Sequence, residues 1–192
     1  MSSLVRTALW HKLDEPGAEI MELHRHDRGW ELRGVAVLAL AGRPAHVRYR
    51  VECDPDWHTR AVEVVETWGH QDRQLRLIVT GDSRWQADGT VGEIESVRGS
   101  VDVDLGMTPA TNTLPIRRLC LGVGEASELT AAWIRFPDLE VEPLPQRYTR
   151  LGERAYRYES RDGGFSAELL VDDLGLVAVY SGFWELVGSF DA

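Results

Sequence analysis

The chain has 192 residues, 43% of them hydrophobic and 27% charged, with a formal charge of −10. That composition suits one globular domain over residues 1–192, burying roughly 70% of its unfolded surface, and the negative balance argues against nucleic acid as a partner. No apolar run approaches a membrane span and no N-terminal targeting segment is evident, so the expectation is a cytoplasmic protein without a stable membrane anchor.

Along the chain the dominant period is two, which predicts strands. His24 and His26 share one strand face with Glu22 beside them. VAVLAL (35–40) is apolar on both faces and predicts a strand covered on both sides. After the turn AGRP at 41, HVRYRVEC (46–53) alternates: Val47, Tyr49, Val51 and Cys53 face one way, and His46, Arg48, Arg50 and Glu52 the other. The turn DPD at 54 leads through WHTR (57–60) into AVEVVE (61–66), and RQLRLIV (73–79) aligns Leu75, Leu77 and Val79. Turn signals GD at 81 and DG at 88 flank Trp85.

SVDVDL (100–105) then meets TPATNTLPIRRL (108–119). Pro115 predicts that IRRLCL (116–121) opens a strand. GVGEAS (122–127) predicts a turn, with a helical turn over 125–129. Tyr156 and Tyr158 of YRYES align, RDGG (161–164) predicts a further turn, and GLVAVY (175–180) is again apolar on both faces. Short strands separated by turns predict a mainly β fold with little helix. They indicate one large antiparallel sheet, curled or closed. YRVEC (49–53) echoes YRYES (156–160), and each precedes an apolar-acidic strand. Chance among Arg- and Glu-rich strands is the simpler account, duplication of a half the other.

The polar segments carry the chemistry. Asp102 and Asp104 lie two apart, so in a strand their side chains face the same way, roughly 6.5–7 Å apart at the backbone. Such a pair suits a carboxylate-catalysed glycoside reaction, sugar hydroxyls, or a ladder with Arg117 and Arg118. Thr111, Asn112 and Thr113 suit either a self-capping loop or a ligand contact. The His-x-His pair offers two metal ligands and no third nearby, so no metal and no cofactor is expected. Trp57, Trp85, Trp133 and Trp184 suit a core or the wall of a cavity. Cys53 and Cys120, without metal-ligand spacing, read as reduced core residues. No GxSxG, GxGxxG, Walker-type loop or HExxH is present, so no catalytic residue is assigned.

SVDVDLGMTPATNTLPIRRL, with WHTR (57–60), QRYTRL (146–151) and FSAELLVDDLGLVAVYSGFW (165–184), resembles the bacterial family described as "putative glycolipid-binding", over about Trp30 to Trp184. The resemblance implies a curled sheet like the half-barrel of LolA/LolB lipoprotein carriers, and a lipid or glycolipid ligand in its concave face. On that reading Arg60, Asp102, Asp104, Thr111, Asn112, Arg117, Arg118 and Gln146 present polar groups to a head group. Trp57, Tyr148 and the apolar strand faces hold the rest. A cofactorless enzyme on the same fold, and a module closed by a partner or by a second copy as a homodimer, are the alternatives.

Overall fold

Residues 2–89, 92–160 and 164–192 are described in the computed structural model of the chain. The turn expected at 161–163 lies outside them. Among the described residues the period-two segments become strands β1 (Ser3–Lys12), β2 (Gly17–His26), β3 (Gly29–Leu40), β4 (Arg43–Cys53), β5 (Thr59–Trp68), β6 (Gln71–Thr80) and β7 (Arg84–Ala87). A crossing segment leads to β8 (Val103–Leu105) and helix α1 (Thr113–Leu119). Strands β9 (Ala126–Arg135), β10 (Glu140–Arg150), β11 (Ala155–Ser160), β12 (Phe165–Val171), β13 (Val177–Tyr180) and β14 (Trp184–Asp191) follow. All fourteen join one sheet in the order β7-β6-β5-β4-β3-β2-β1-β14-β13-β12-β11-β10-β9-β8, antiparallel except for the β8–β9 pair.

The sheet is curled but unclosed: β7 and β8 are its two edges and do not pair with each other. The crossing segment spans the gap instead. Ile94 N–H donates to Trp85 O of β7, Thr59 N–H donates to Val101 O, and Ala132 N–H of β9 donates to Asp102 O. Backbone groups that a closed barrel would pair strand to strand are thus satisfied by a strap. Both edges are also short, which limits their use as templates for other chains.

The concave face is filled by side chains. Trp10, Met21, Leu32, Val47, Val62 and Leu77 enter it from successive strands, and Val103, Leu105, Met107 and Leu114 descend from the segment between the edges. A smaller cluster gathers Ile116, Tyr148, Tyr156, Tyr158 and Leu169. The buried indole N–H groups find acceptors, Trp10 in Val177 O at 2.6 Å and Trp85 in Ser100 O at 2.8 Å, as a buried tryptophan requires.

Alternation holds in β4, where Val47, Tyr49, Val51 and Cys53 are buried and His46, Arg48 and Arg50 exposed. Four expectations are corrected. Val35 and Val37 are 41% and 62% exposed, so β3 is covered on one side; the outward face of this sheet carries no second layer there. Residues 116–119 are helical, because Pro115 sits in the first turn of α1, where a missing N–H has no intrahelical partner to lose. The two arginines fall in its last turn, favourable against the helix dipole. Residues 126–129 are the start of β9, and the turn before it is held by Gly122 N–H donating to the Glu125 carboxylate at 2.7 Å. Cys53 is a core residue as expected, whereas Cys120 is exposed just past α1 with a left-handed φ of 47°.

The echoing strands β4/β5 and β11/β12 hold equivalent places in two seven-strand halves, β7 to β1 and β14 to β8. The halves part at β8, three residues long and parallel to its neighbour, where β1 has ten residues and antiparallel partners.

Gly34 of β3 lies opposite Tyr49 of β4, and a Cβ there would overlap the Tyr49 ring. Gly34→Ala is expected to cost about 1–3 kcal/mol through overpacking, read as a lowered denaturant midpoint with unchanged slope.

Candidate functional site

A cavity of about 300 Å³ opens at one end of the curl, between the segment that follows β8 and strands β11–β14. Its wall is aromatic. Tyr158, Phe165, Tyr180 and Phe183 pack edge-to-face or tilted, with ring centroids 5.3–6.4 Å apart, and Trp184 stands nearby. Such offset pairs hold one another in fixed orientation. Its polar groups are Asp104, Thr108 and Asn112 from the segment between the edges, Ser160 of β11, and Lys12 paired with Asp14 at the rim.

Asp104 of β8 accepts from Gln146 Nε2 at 2.5 Å and from Tyr158 Oη at 3.5 Å. Its carboxyl is partly open to the cavity but ringed by protein. Desolvation therefore pushes it up to about 6, against the pull of those two donors. Asn112 is fixed next to it, accepting from Tyr148 Oη at 2.8 Å and donating to Pro109 O at 3.2 Å. The Tyr148 ring in turn leans on Tyr158, 5.2 Å away. Asp104, Asn112, Gln146 and Tyr148 thus converge on one place.

The other expected residues lie elsewhere. Asp102 faces the same side as Asp104, since Val103 and Leu105 enter the core between them, but it is buried and held by Arg118 in a two-pronged pair, Nε–Oδ1 3.1 Å and Nη2–Oδ2 2.5 Å. Thr111 is buried and its hydroxyl accepts from Leu105 N–H at 3.3 Å. Trp57 is buried, stacked on Trp30 at 4.6 Å, with the exposed Arg117 guanidinium 5.6 Å over its ring. Arg60 is exposed and pairs with Asp54 at 2.5 Å. On a helix Arg117 and Arg118 stand about 100° apart, which sends one to Trp57 and the other to Asp102.

Sequence reasoning passed over Glu19. It is 1% exposed, accepts from Tyr49 Oη at 2.5 Å and from Thr108 Oγ1 at 2.7 Å, and leaves Oε2 without a hydrogen bond. Burial pushes its carboxyl up to about 7. Glu66 is fully buried, lacks hydrogen bonds on both oxygens, and is likewise pushed to about 7 by burial, with Arg73 3.7 Å away pulling the other way. Both stand on the inward face of an alternating strand, Glu19 with Met21 and Leu23, Glu66 with Val62 and Val64. A carboxylate in phase with an apolar face is the signal that could have found them.

Among the described residues, the acidic and histidine side chains whose ligand atoms gather within 4.8 Å are Asp54, Asp56 and His58, in the β4–β5 turn. The Asp54 carboxylate is already engaged by His58 and Arg60. His24 pairs with Glu22 at 2.9 Å and stacks on His26, and among the described residues the three form no metal-binding cluster. A wider depression of about 530 Å³ runs over β9–β11, but exposed side chains such as Glu128 and Arg147 make its walls. A small-molecule site needs apolar or aromatic walls with polar groups placed among them, and the cavity beside Asp104 has both.

No helix among the described residues is long and apolar enough to cross a membrane. No curated protein matches the chain. It is similar to the crystal structure of a DUF1089 family protein from Pseudomonas aeruginosa, with 36% identity and a TM-score of 0.76 over 87% of this chain and 91% of that one. A β-barrel-like protein of the DUF1849 domain from Brucella abortus shares the fold, with a TM-score of 0.59 at 9% identity over 98% of each chain. A family model described as "Putative glycolipid-binding" matches residues 7–185. With that match across nearly the whole sheet, the chain belongs to this family.

Proposed function

We propose that this chain is a carrier of an amphipathic, glycolipid-type ligand whose head group sits in the cavity beside Asp104. The observation that supports this most directly is the pairing of an aromatic wall with polar groups, Asp104, Thr108, Asn112 and Ser160 among them, in one cavity. At about 300 Å³ the space suits a head group; ligand sites run from roughly 300 to 1,000 Å³. The concave face is packed with side chains, so the ligand's tail leaves through the mouth, past the exposed Leu13, instead of lying along the strands.

Protein purified from its own host is expected to release one discrete amphiphile on solvent extraction, matching the excess mass in native mass spectrometry. Tyr180→Ala with Phe183→Ala removes two part-buried rings worth about 0.5–1.5 kcal/mol each, so retention falls roughly tenfold. A clean apo mass, with no melting shift across a lipid panel, counts against the carrier reading.

Asp104 also favours a second reading. A carboxyl held near 6 in a cleft is the kind of group a cofactorless enzyme uses as acid or base. Turnover lost in Asp104→Asn would move the assignment there. The interaction-module reading draws on Leu9, Ile20 and Val35, which form one exposed apolar row across β1–β3. That row lies mid-sheet on the convex side, away from the open edges where a closing partner would dock.

A further inference from the structure

The cavity has a charge asymmetry that a neutral sugar does not explain. Asp104 takes its hydrogen bonds from a neutral amide and a neutral phenol, and among the described residues no cationic side chain lies against it. Asp102, two residues away, has Arg118. Lys12 at the rim is already paired with Asp14. The space is therefore left with one uncompensated carboxylate facing inward.

Around that carboxylate, beyond its two neutral donors, stand ring faces and edges in place of cations. Tyr158, Phe165, Tyr180 and Phe183 are locked against one another, and Trp184 completes the wall. Aromatic faces attract cations through their quadrupole, and most strongly where water is excluded. The molecule supplies its own instance: the Lys12 ammonium sits 5.5 Å over the Trp184 ring. A sugar hydroxyl could donate to Asp104 but would leave the charge unbalanced in a desolvated place.

We propose that the cavity takes an ammonium group, so that the head of the bound amphiphile is an amine or a quaternary ammonium. Asp104 provides the counter-charge and the four-ring wall the apolar cage. This rests on the reading that the cavity beside Asp104 is the ligand site. It adds a substrate class to it. The chain's charge of −10 favours the approach of such a ligand over an anionic one.

The test uses three probes below their micelle concentrations: octyl glucoside, its 2-amino-2-deoxy counterpart, and octyltrimethylammonium. Binding is read by calorimetry at pH 7.5 on the full chain. Both cationic probes are expected to bind at least roughly tenfold more tightly than octyl glucoside. Asp104→Asn should abolish that preference, read as the ratio of the cationic probes' affinities to that of octyl glucoside in the same variant, and Tyr180→Leu should weaken all three. If one cationic probe alone gains, the inference stands and the class narrows to an amino sugar or to a quaternary amine. If octyl glucoside binds as well as the charged probes, the ammonium assignment falls and the head-group cavity stands. If no probe binds, both fall. A cationic preference that persists in Asp104→Asn and vanishes in high salt is surface adsorption and also overturns the assignment.

Discussion

Raising the pH from about 5 to about 8 is expected to lower the stability of this fold by several kcal/mol. Glu19 and Glu66 are pushed by burial from 4.5 to about 7, and Asp104 from 3.8 to about 6. A carboxyl raised in the folded state holds its proton where the unfolded chain has released it. Its stabilisation is present below the unfolded value and is lost as pH rises through the folded one. At about 1.4 kcal/mol per unit, Glu19 alone accounts for ~3 kcal/mol, or roughly 6–12 °C of melting temperature at this chain length. Glu31 and Asp54 run the other way. Despite burial, Arg50 and Arg33 hold Glu31 below the ordinary range, and bonds from His58 and Arg60 do the same for Asp54. Their stabilisation is lost as pH falls below about 4, so the optimum sits near pH 5. Melting curves from pH 4 to 9 check this. Glu19→Gln should be more stable than the parent at pH 8 and show a shallower decline. A flat profile between pH 5 and 8 would show that these carboxyls are solvated.

Arg118→Ala is the substitution expected to do most damage outside the core. Asp102 is 1% exposed and the Arg118 side chain 17%. Burial pushes the Asp102 carboxyl up, and the arginine pulls it back without fully offsetting the cost. Removing the arginine strands a buried charge, worth about 3–5 kcal/mol. Asp102→Ala should cost a similar amount, and the double replacement less than the sum, because neither charge is then left alone. Denaturant titration of the four proteins measures the coupling. Single losses within about 1 kcal/mol of the parent would mean that water reaches the pair. The pair also anchors α1 to the segment leading into β8. Weakened ligand retention in Arg118→Ala at temperatures where it stays folded would show that this anchor shapes the cavity.

How much of this could be read beforehand follows from range. In β4 the inward row of Val47, Tyr49, Val51 and Cys53 was legible because alternation is a property of adjacent residues. The curled sheet followed from many such rows. Helix α1 was not legible: Pro115 fits the first turn of a helix as well as the start of a strand, and which one wins depends on Asp102 and the core beneath it. The candidate site was half legible. Asp104, Asn112, Gln146 and Tyr148 converge, but Trp57, Arg60 and Arg117 belong to the region of the β4–β5 turn, since pairing across fourteen strands is set by contacts far apart in sequence. Of the aromatic wall, the sequence offers Trp184 as core or as the wall of a cavity and leaves Phe165, Tyr180 and Phe183 unmarked. The wall's rings come from β11, β12, β13 and the β13–β14 turn, and nothing local marks them as neighbours of Asp104.

The pairing of β1 with β14 sets when this molecule can become itself. Arg6 lies opposite Asp191 in that ladder, so the seam at the middle of the sheet joins segments 185 positions apart in the chain, one of which leaves the ribosome long before the other. Until β14 emerges, β1 has an unpaired side that is ten residues long and carries Trp10 on its apolar face. Contacts this distant make folding slow and leave the waiting edge open to wrong partners. The nascent seven-strand half is the species a chaperone would shield, and shortening the chain before Trp184 should yield an associating product instead of a smaller folded one.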